Sequence, residues 1–187
     1  FEDALLPIES RSQIEAHKKA QEIHSLHYAR GAGIDVINLR IGSIYGQHYY
    51  SMFHPGARIA HAAIKGIEPD FSDKPNGTMN QDDLTDWTFV RDLAMGIQML
   101  TTADKLNHGI YNVGSGKATS LKETYDAIKS VIPEAKASAL ISGTTPGLPA
   151  NPVMDLTRIN QDTGYVPAHD IHSGFVEYVE WLQKNAQ

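Results

Sequence analysis

The sequence predicts an α/β protein whose strands pair largely in parallel. Three observations support this fold class: helical and extended segments alternate along the chain, the turns between them are short, and the extended segments are rich in β-branched and apolar residues. With 187 residues, of which 41% are hydrophobic, the chain can bury one sizeable core in one or at most two domains.

The first half of the chain is predicted to begin with a long helix at 10–32, which glycines end. A buried strand follows at 34–42, because this segment is rich in valine, isoleucine and leucine. A short helix at 56–66 also closes on a glycine. The segment 68–86 is polar and rich in turn formers, so we expect a loop around one short strand.

The second half continues the alternation. We expect a short strand at 86–90, a strand running into a turn at 109–116, a helix at 120–132 and a strand at 136–142. Ser120 and Glu123 form the pattern of a capping box. Residues at helical spacing predict the buried faces of the three helices in this half: Leu93, Ile97 and Leu100; Leu121, Tyr125, Ile128 and Val131; and Phe175, Tyr178, Val179 and Leu182.

The long helix at 10–32 carries two partly apolar sides. One side is a stripe whose members share helical spacing: Ala16, Ala20, Ile23 and Leu26. Lys19 lies beside this stripe and is placed to pair with Glu15, as in an ordinary solvent-exposed helix. Lys18 lies on the other side, which is also half apolar, so this helix is expected to be covered on two faces. From the residues alone, Lys18 is either a solvated surface lysine or part of a site.

Composition excludes several classes of function. The formal net charge of −6 and the lack of a long Lys/Arg run argue against a nucleic-acid or anionic-membrane surface. No apolar stretch has membrane-spanning length, and no signal peptide is visible. The absence of cysteine excludes disulfides and thiolate chemistry and fits a cytoplasmic protein. Because the chain opens at Phe1 rather than methionine, we expect it to be a piece of a longer polypeptide.

Three familiar site motifs are weak or absent. The "NVGSGK" segment at 112–117 joins a strand to a capped helix, but it lacks the spacing of a dinucleotide or P-loop motif, so a tight turn is expected. His17, His24 and His27 share a sector of the long helix without a metal-binding pattern, and we predict no metal site. No G-x-S-x-G is present, which excludes a serine hydrolase of the α/β type.

Several segments in order resemble the C-terminal half of an extended short-chain dehydrogenase/reductase, in the NAD-dependent epimerase/dehydratase family. The segments that carry this resemblance span nearly the whole chain: "ED…S…K…E" at 2–22, "IDVINLRIGSIYG" at 34–46, "WTFVRDLAMGI" at 87–97, "GIYNVGSGKATSLKE" at 109–123 and "DLTRINQDTGYVP…GFVEYVEWL" at 155–182.

The resemblance implies the C-terminal part of a Rossmann-like parallel sheet with a small α/β substrate-binding lobe. Residues 1–50 would be the last part of the Rossmann-like domain, and 51–187 mainly the lobe, with some segments returning to the sheet. The implied cofactor is NAD or NADP, and the implied substrate a sugar, a sugar nucleotide or a hydroxy acid. Implied partners are the N-terminal half of the same protein, with its glycine-rich turn, and a second copy through the helix 10–32.

The family has a tyrosine and a lysine four residues apart on one helix face. The tyrosine exchanges a proton with the substrate, and the lysine binds the nicotinamide ribose and lowers the tyrosine pKa. By this resemblance Lys18 is the lysine, which favours the assignment of Lys18 to a site. Ile14 stands at the tyrosine position, and an isoleucine cannot carry a proton. His17 is the nearest titratable side chain, about one hundred degrees away around the helix.

The resemblance also implies the remaining site residues. Gly42 and Ser43 would contact the cofactor together with Lys18, and Ser43 replaces a family asparagine that touches substrate. Tyr45 belongs to the Y-G pair of the substrate strand. The other implied substrate contacts lie beyond this pair: His54, Arg58 and Thr85. Thr85 stands where sugar-nucleotide members carry an arginine that grips the diphosphate, which leaves a smaller sugar or a hydroxy acid open.

Two functions remain at this stage. The first is the C-terminal portion of an NAD(P)-dependent epimerase, dehydratase or dehydrogenase that transfers a hydride at a carbinol carbon. The second is a catalytically silent binding or scaffold module that kept the fold after losing the tyrosine. Lys18 favours the enzyme, and Ile14 favours the silent module.

Overall fold

The structure is a computed structural model that describes residues 2–4, 6–10, 12–148 and 153–185. Helices and strands alternate along the chain. The helices are α1 (Gln13–Ala32), α2 (Pro55–Lys65), α3 (Val90–Thr102), α4 (Leu121–Val131), α5 (Thr157–Thr163) and α6 (Ile171–Lys184). The strands are β1 (Asn38–Ile41), β2 (Ser43–Tyr45), β3 (Met79–Asn80), β4 (Leu84–Phe89), β5 (Ile110–Val113), β6 (Ala118–Ser120) and β7 (Leu140–Ile141).

The strands form three small sheets in which parallel pairing predominates. β1 pairs in parallel with β5, and β3 in parallel with β7. β4 lies between β2, its parallel neighbour, and β6, which is antiparallel. This mixed α/β architecture with parallel strands confirms the predicted fold class.

The sheet of β2, β4 and β6 separates two hydrophobic cores. Successive side chains of a strand point to opposite faces, so Trp87 and Phe89 enter one core while Ile44 of the neighbouring strand packs against the other. The first, here called the lobe core, is lined by α2, α4 and α6 and includes Tyr45, Ile59, Phe71, Leu121, Ile128, Phe175, Tyr178 and Leu182. The second, here called the sheet core, comprises Leu93, Leu100, Tyr111, Val113, Ile159 and Tyr165.

Helix ends follow the predicted signals. Ser120 accepts from the Glu123 amide while the Glu123 carboxylate accepts from the Ser120 amide, which confirms the capping box. Gly66 ends α2 with φ +68, a left-handed conformation that glycine adopts at little cost. α2 begins with Pro55 in its first turn and a histidine cap, His54, whose side chain accepts from the Ala57 amide.

Tyr45 fixes β2 against α6. Its ring is buried and stacks on Phe175 with centroids 4.3 Å apart. Gly174 lies directly behind the Tyr45 hydroxyl, and the space between them cannot hold even a methyl group. The end of β2 is therefore set by α6, through a contact that requires glycine.

Several predicted details are wrong. The stripe on α1 is not covered: no residue of α1 is buried by the described part of the chain, and Ile23 is 65% exposed. Ile97 is 39% exposed, because Gly96 takes the inward position on α3 against Val113 and Tyr165. The predicted strand at 136–142 shrinks to β7, and that at 34–42 to β1.

Candidate functional site

A cleft of about 480 Å³ separates α1 from β1. It contains charged side chains from the helix and from the strand. The lining residues come from the N-terminal segment, α1 and β1: Leu6, Glu15, Lys18, Lys19, Gln21, Glu22, Asn38, Leu39, Arg40 and Ile41.

Two of the three cations in this cleft are already neutralised. Arg40 donates to both carboxylate oxygens of Glu22, at 3.0 and 2.7 Å. Lys19 pairs with Glu15 at 2.7 Å, as predicted, and also donates to the Glu9 carbonyl. These bidentate and charge-assisted bonds hold α1 against β1 and the N-terminal segment.

Lys18 differs from both of these cations. Within the described ranges, no hydrogen bond or ion pair engages its ammonium group, although it lines the same cleft. Ile41, the last residue of β1, lines this cleft too and precedes Gly42 and Ser43 directly. The cleft that Lys18 lines therefore includes the residue next to Gly42 and Ser43, whose contacts with a cofactor stay a prediction.

Ile14 lies one turn before Lys18 on the same helix and is 72% exposed. An aliphatic side chain has no proton to give or accept. The helix therefore carries the lysine that the resemblance implies, but an apolar side chain occupies the implied tyrosine position.

Gly42 joins β1 to β2 where the two strands belong to different sheets. A side chain at this position would collide with the Thr88 hydroxyl and approach the Asp86 backbone. Glycine is therefore required for the close approach of this junction to β4. Ser43 follows with an exposed side chain, directly opposite Trp87 in the parallel register.

Tyr45 and His54 are buried rather than displayed on the surface. Burial raises the pKa of the Tyr45 phenol above its ordinary value, and nearby Asp92 raises it further. Burial lowers the pKa of His54 to about 3, so this imidazole is neutral at ordinary pH. The His54 ring packs against the Trp87 ring at a tilt of 46°, with ring centroids 3.6 Å apart.

Arg58 and Thr85 lie away from the cleft. Arg58 forms an ion pair with Asp73 and donates to the carbonyls of Met52 and Asp70, so it ties the segment after β2 to the loop before β3. Thr85 is half-buried in β4 opposite Thr119 of β6. Their predicted contacts with substrate remain predictions.

A carboxylate occupies the glycine turn that follows β5. Asp86 is buried and accepts from the Ser115 amide at 2.7 Å, the Ser115 hydroxyl at 2.8 Å, and the amides of Gly116 and Met154 at 3.1 Å each. These donors resemble those of an anion-binding turn, and here the anion belongs to the protein itself. The expected tight turn is present, with Gly116 at φ +68.

The structure places the predicted residues in different surroundings. Lys18 lines the cleft, whereas Ile14, Gly42 and Ser43 do not, and Tyr45 and His54 lie together on the lobe side of β2 and β4. Sequence reasoning missed Trp87 and Asp86, whose partners lie far away along the chain. Their alternation in "TDWTF" was the available signal, because it places neighbouring residues on opposite faces of a strand.

Two further searches concern metals and membranes. Across 2–4, 6–10, 12–148 and 153–185, no group of three or more His, Asp or Glu side chains is arranged to hold a metal ion. No helix within these ranges is long and apolar enough to cross a membrane.

The sequences of known proteins that resemble this chain point to one family. The sequence model of the NAD dependent epimerase/dehydratase family matches residues 2–114. The dTDP-glucose 4,6-dehydratase of Streptomyces griseus is 23% identical over 188 residues, which cover 96% of this chain and 52% of that protein.

Two solved structures share the fold. The dTDP-glucose 4,6-dehydratase of Bacillus anthracis in complex with NAD aligns with a TM-score of 0.80 and 18% identity, over 100% of this chain and 56% of that one. The UDP-glucuronic acid 4-epimerase of Bacillus cereus in complex with UDP-glucuronic acid and NAD aligns with a TM-score of 0.80 and 17% identity, over 97% and 55%. The chain therefore spans about half the length of the relatives that it matches.

Proposed function

Because the chain belongs to the NAD-dependent epimerase/dehydratase family, we propose that it forms the C-terminal portion of an NAD(P)-dependent epimerase, dehydratase or dehydrogenase acting on a sugar or sugar nucleotide. One observation carries the proposal: Lys18 lines a cleft and has no partner among the residues that the structure describes, while the neighbouring cations are paired. A cation left unpaired beside a groove is suited to bind a polar ligand there.

The residues present fit one part of the cofactor. The Lys18 ammonium can donate to ribose hydroxyls, and Gly42 and Ser43 directly follow Ile41, the last residue of β1 in the same groove. The pyrophosphate needs a glycine-rich turn at a helix N-terminus, and in the described part of the chain the turn at 114–116 already binds Asp86. We therefore propose that the N-terminal half of the same protein supplies the pyrophosphate site.

In this proposal the chain orients its ligands rather than supplying the reactive group. NAD or NADP, when bound, accepts a hydride from a carbinol carbon of the substrate. Lys18 holds the nicotinamide ribose, and Ser43 donates to the substrate from the start of β2. Residues 51–187 shape the substrate pocket, with some segments returning to the sheet, and 1–50 complete the Rossmann-like part.

A catalytically silent module is the second candidate. The observation that favours it is Ile14, since an exposed isoleucine stands at the position from which the family tyrosine moves a proton. Such a module would bind the cofactor through Lys18 without turning over.

Lys18→Met is the variant that tests the cofactor proposal. We expect the intact protein to bind NAD, and we expect this variant to weaken binding by about tenfold, because one charge-assisted hydrogen bond is lost. Calorimetric titration with NAD measures the affinity. Lys19→Met is the matched control, because Lys19 is committed to Glu15, and it should leave the affinity within about twofold. Equal affinity in the wild type and Lys18→Met contradicts the assignment of Lys18.

We also propose that α1 is an interface and that β1 receives a further strand. Ile23, in the apolar stripe of α1, is exposed, and within the described ranges β1 pairs only with β5. An apolar helix face and an open parallel edge both favour association. The proposed occupants are a second copy at α1 and the N-terminal half of the same protein at β1.

Ile23→Glu is expected to shift the intact protein from dimer to monomer, because a buried unpaired charge at an interface is strongly unfavourable. Sedimentation in dilute solution measures the mass. Ile67→Glu is the control, since Ile67 is similarly exposed but follows α2 in the lobe. A monomeric wild type, or a dimer unaffected by Ile23→Glu, contradicts the proposed interface.

A further inference from the structure

Two adjacent buried rings in the lobe core each carry an N–H group without an acceptor among the described residues. His54 and Trp87 are only 5% and 7% exposed, and their rings lie 3.6 Å apart between centroids. His54 Nε2 and Trp87 Nε1 are closed to solvent, and neither has a hydrogen-bond partner among the described residues. Buried polar groups are nearly always paired, so two adjacent exceptions indicate a missing partner.

The protonation of both rings follows from their contacts. His54 Nδ1 accepts from the Ala57 amide at 3.3 Å, so it carries no proton. Burial lowers the pKa of His54 to about 3, and the neutral ring must then carry its proton on Nε2. The indole Nε1 is a donor only. Both unpartnered atoms are therefore donors, and the missing partner is an acceptor.

Trp87 lies on β4, beside the strand that the resemblance assigns to substrate, and His54 packs against it from the start of α2. Ser43 faces Trp87 across the parallel register of β2 and β4, so their side chains share one face of the sheet. The Tyr45 ring lies 6.4 Å from His54 on the same side. An acceptor bound by the pair would thus sit beside the start of β2, where Ser43 is exposed.

We propose that His54 Nε2–H and Trp87 Nε1–H together bind one uncharged oxygen of the substrate, a hydroxyl or keto oxygen of a sugar. The inference rests on the proposed sugar substrate and deepens it. The pair offers two neutral donors and no cation, and its surroundings are aromatic. A phosphate or carboxylate would lose its hydration there without charge compensation, whereas a neutral oxygen needs only the two hydrogen bonds.

The segment 47–53 must move for this oxygen to enter. It directly precedes His54, and the Tyr49 ring packs edge-on against His54 at 5.8 Å. His48 and Met52 hold φ of 63° and 48°, a region that residues other than glycine rarely occupy. Such strain is relieved when a segment changes conformation, so this segment is suited to act as the cover of the two donors.

The test compares dTDP-glucose with dTDP, because the pair differs only in the sugar. In ¹H–¹⁵N spectra of the intact protein, Trp87→Phe identifies the Trp87 indole signal. We expect dTDP-glucose to shift this signal and dTDP to leave it in place. Trp87→Phe and His54→Asn, which keeps a capping oxygen at the start of α2, should each weaken dTDP-glucose binding by about tenfold. Binding of dTDP should stay unchanged.

His108→Asn is the matched control, because His108 lies against Tyr111 on the sheet-core side and away from the segment 47–53, and it should bind both ligands as the wild type does. Binding of dTDP-glucose without a shift of the Trp87 signal overturns this inference and leaves the proposed function standing. Equal weakening of both ligands in the His54 and Trp87 variants also overturns it. Failure of both ligands to bind the wild type overturns the sugar-nucleotide proposal and this inference with it.

Discussion

Asp86→Ala is expected to lower the free energy of unfolding by roughly 3–5 kcal/mol, since each buried donor left unsatisfied costs on the order of 1–3 kcal/mol. The Asp86 carboxylate satisfies four donors, which belong to Ser115, Gly116 and Met154. Without it, the turn after β5 and the segment before α5 lose their common anchor. Denaturant unfolding measures the loss, and amide signals of Gly116 and Met154 should show it locally.

Asp126→Ala is the control for this change. Asp126 is an exposed partner of Lys122 on α4, and its loss should cost under about 1 kcal/mol. Where Asp86→Ala does not fold, Asp86→Asn provides the measurement, because its single oxygen keeps two of the four donors and its amide group faces the others. Equal stabilities of the Asp86 and Asp126 variants contradict the anchoring role.

The role of Asp86 shows where sequence reasoning reaches its limit. The turn at 112–117 contains glycines and backbone N–H groups that can bind an anion. The motif spacing argues against a phosphate, but it does not identify the anion that binds there instead. Asp86 lies about thirty positions earlier, on a strand that meets this turn only in the folded chain.

Local signals predicted well wherever the determinant lies within one or two turns of helix. The capping box of Ser120 and Glu123 is present, and the predicted α6 stripe is buried. Phe175, Tyr178 and Leu182 share one helix face because of helical geometry alone. The parallel pairing also followed from the alternation of elements.

Predictions of burial failed where a residue distant in sequence decides which side chain is covered. Ile97 has the spacing of a buried residue, but the face of α3 that meets Tyr165 and Val113 holds Gly96, which allows close approach. The stripe of α1 has apolar character but no cover in the described part of the chain. Periodicity identifies an apolar face and cannot identify what covers it.

The resemblance names candidate site residues but not their contacts, and their roles stay predictions. It selects Lys18, and the structure adds that the neighbouring Lys19 and Arg40 are paired. It also named His54, but the burial that keeps this ring neutral and the contact with Trp87 follow only from tertiary packing. Pairing and burial are long-range properties that no short motif encodes.

Ile14→Tyr is expected to raise oxidoreductase turnover of the intact protein by roughly a hundred- to ten-thousandfold, the usual worth of general acid–base catalysis. The phenol would stand one helical turn before Lys18, whose charge lowers the tyrosine pKa and favours proton exchange. Because Ile14 is 72% exposed, the larger ring can be accommodated without repacking a core. Product formation from dTDP-glucose or UDP-glucuronic acid in the presence of NAD measures the change.

Three variants separate proton transfer from other causes of such a gain. Ile14→Phe adds a ring without a hydroxyl and should leave turnover at the unmodified level. Ile23→Tyr places a phenol at a similarly exposed position of α1. Ile23 lines the groove of Leu26 and His27 rather than that of Lys18, so this variant should also give no gain in turnover. Ile14→Tyr combined with Lys18→Met should lose most of the gain, because the phenol then keeps its ordinary pKa. Robust turnover in the unmodified protein that Ile14→Tyr does not change would show that another group moves the proton and that Ile14 does not occupy the catalytic position.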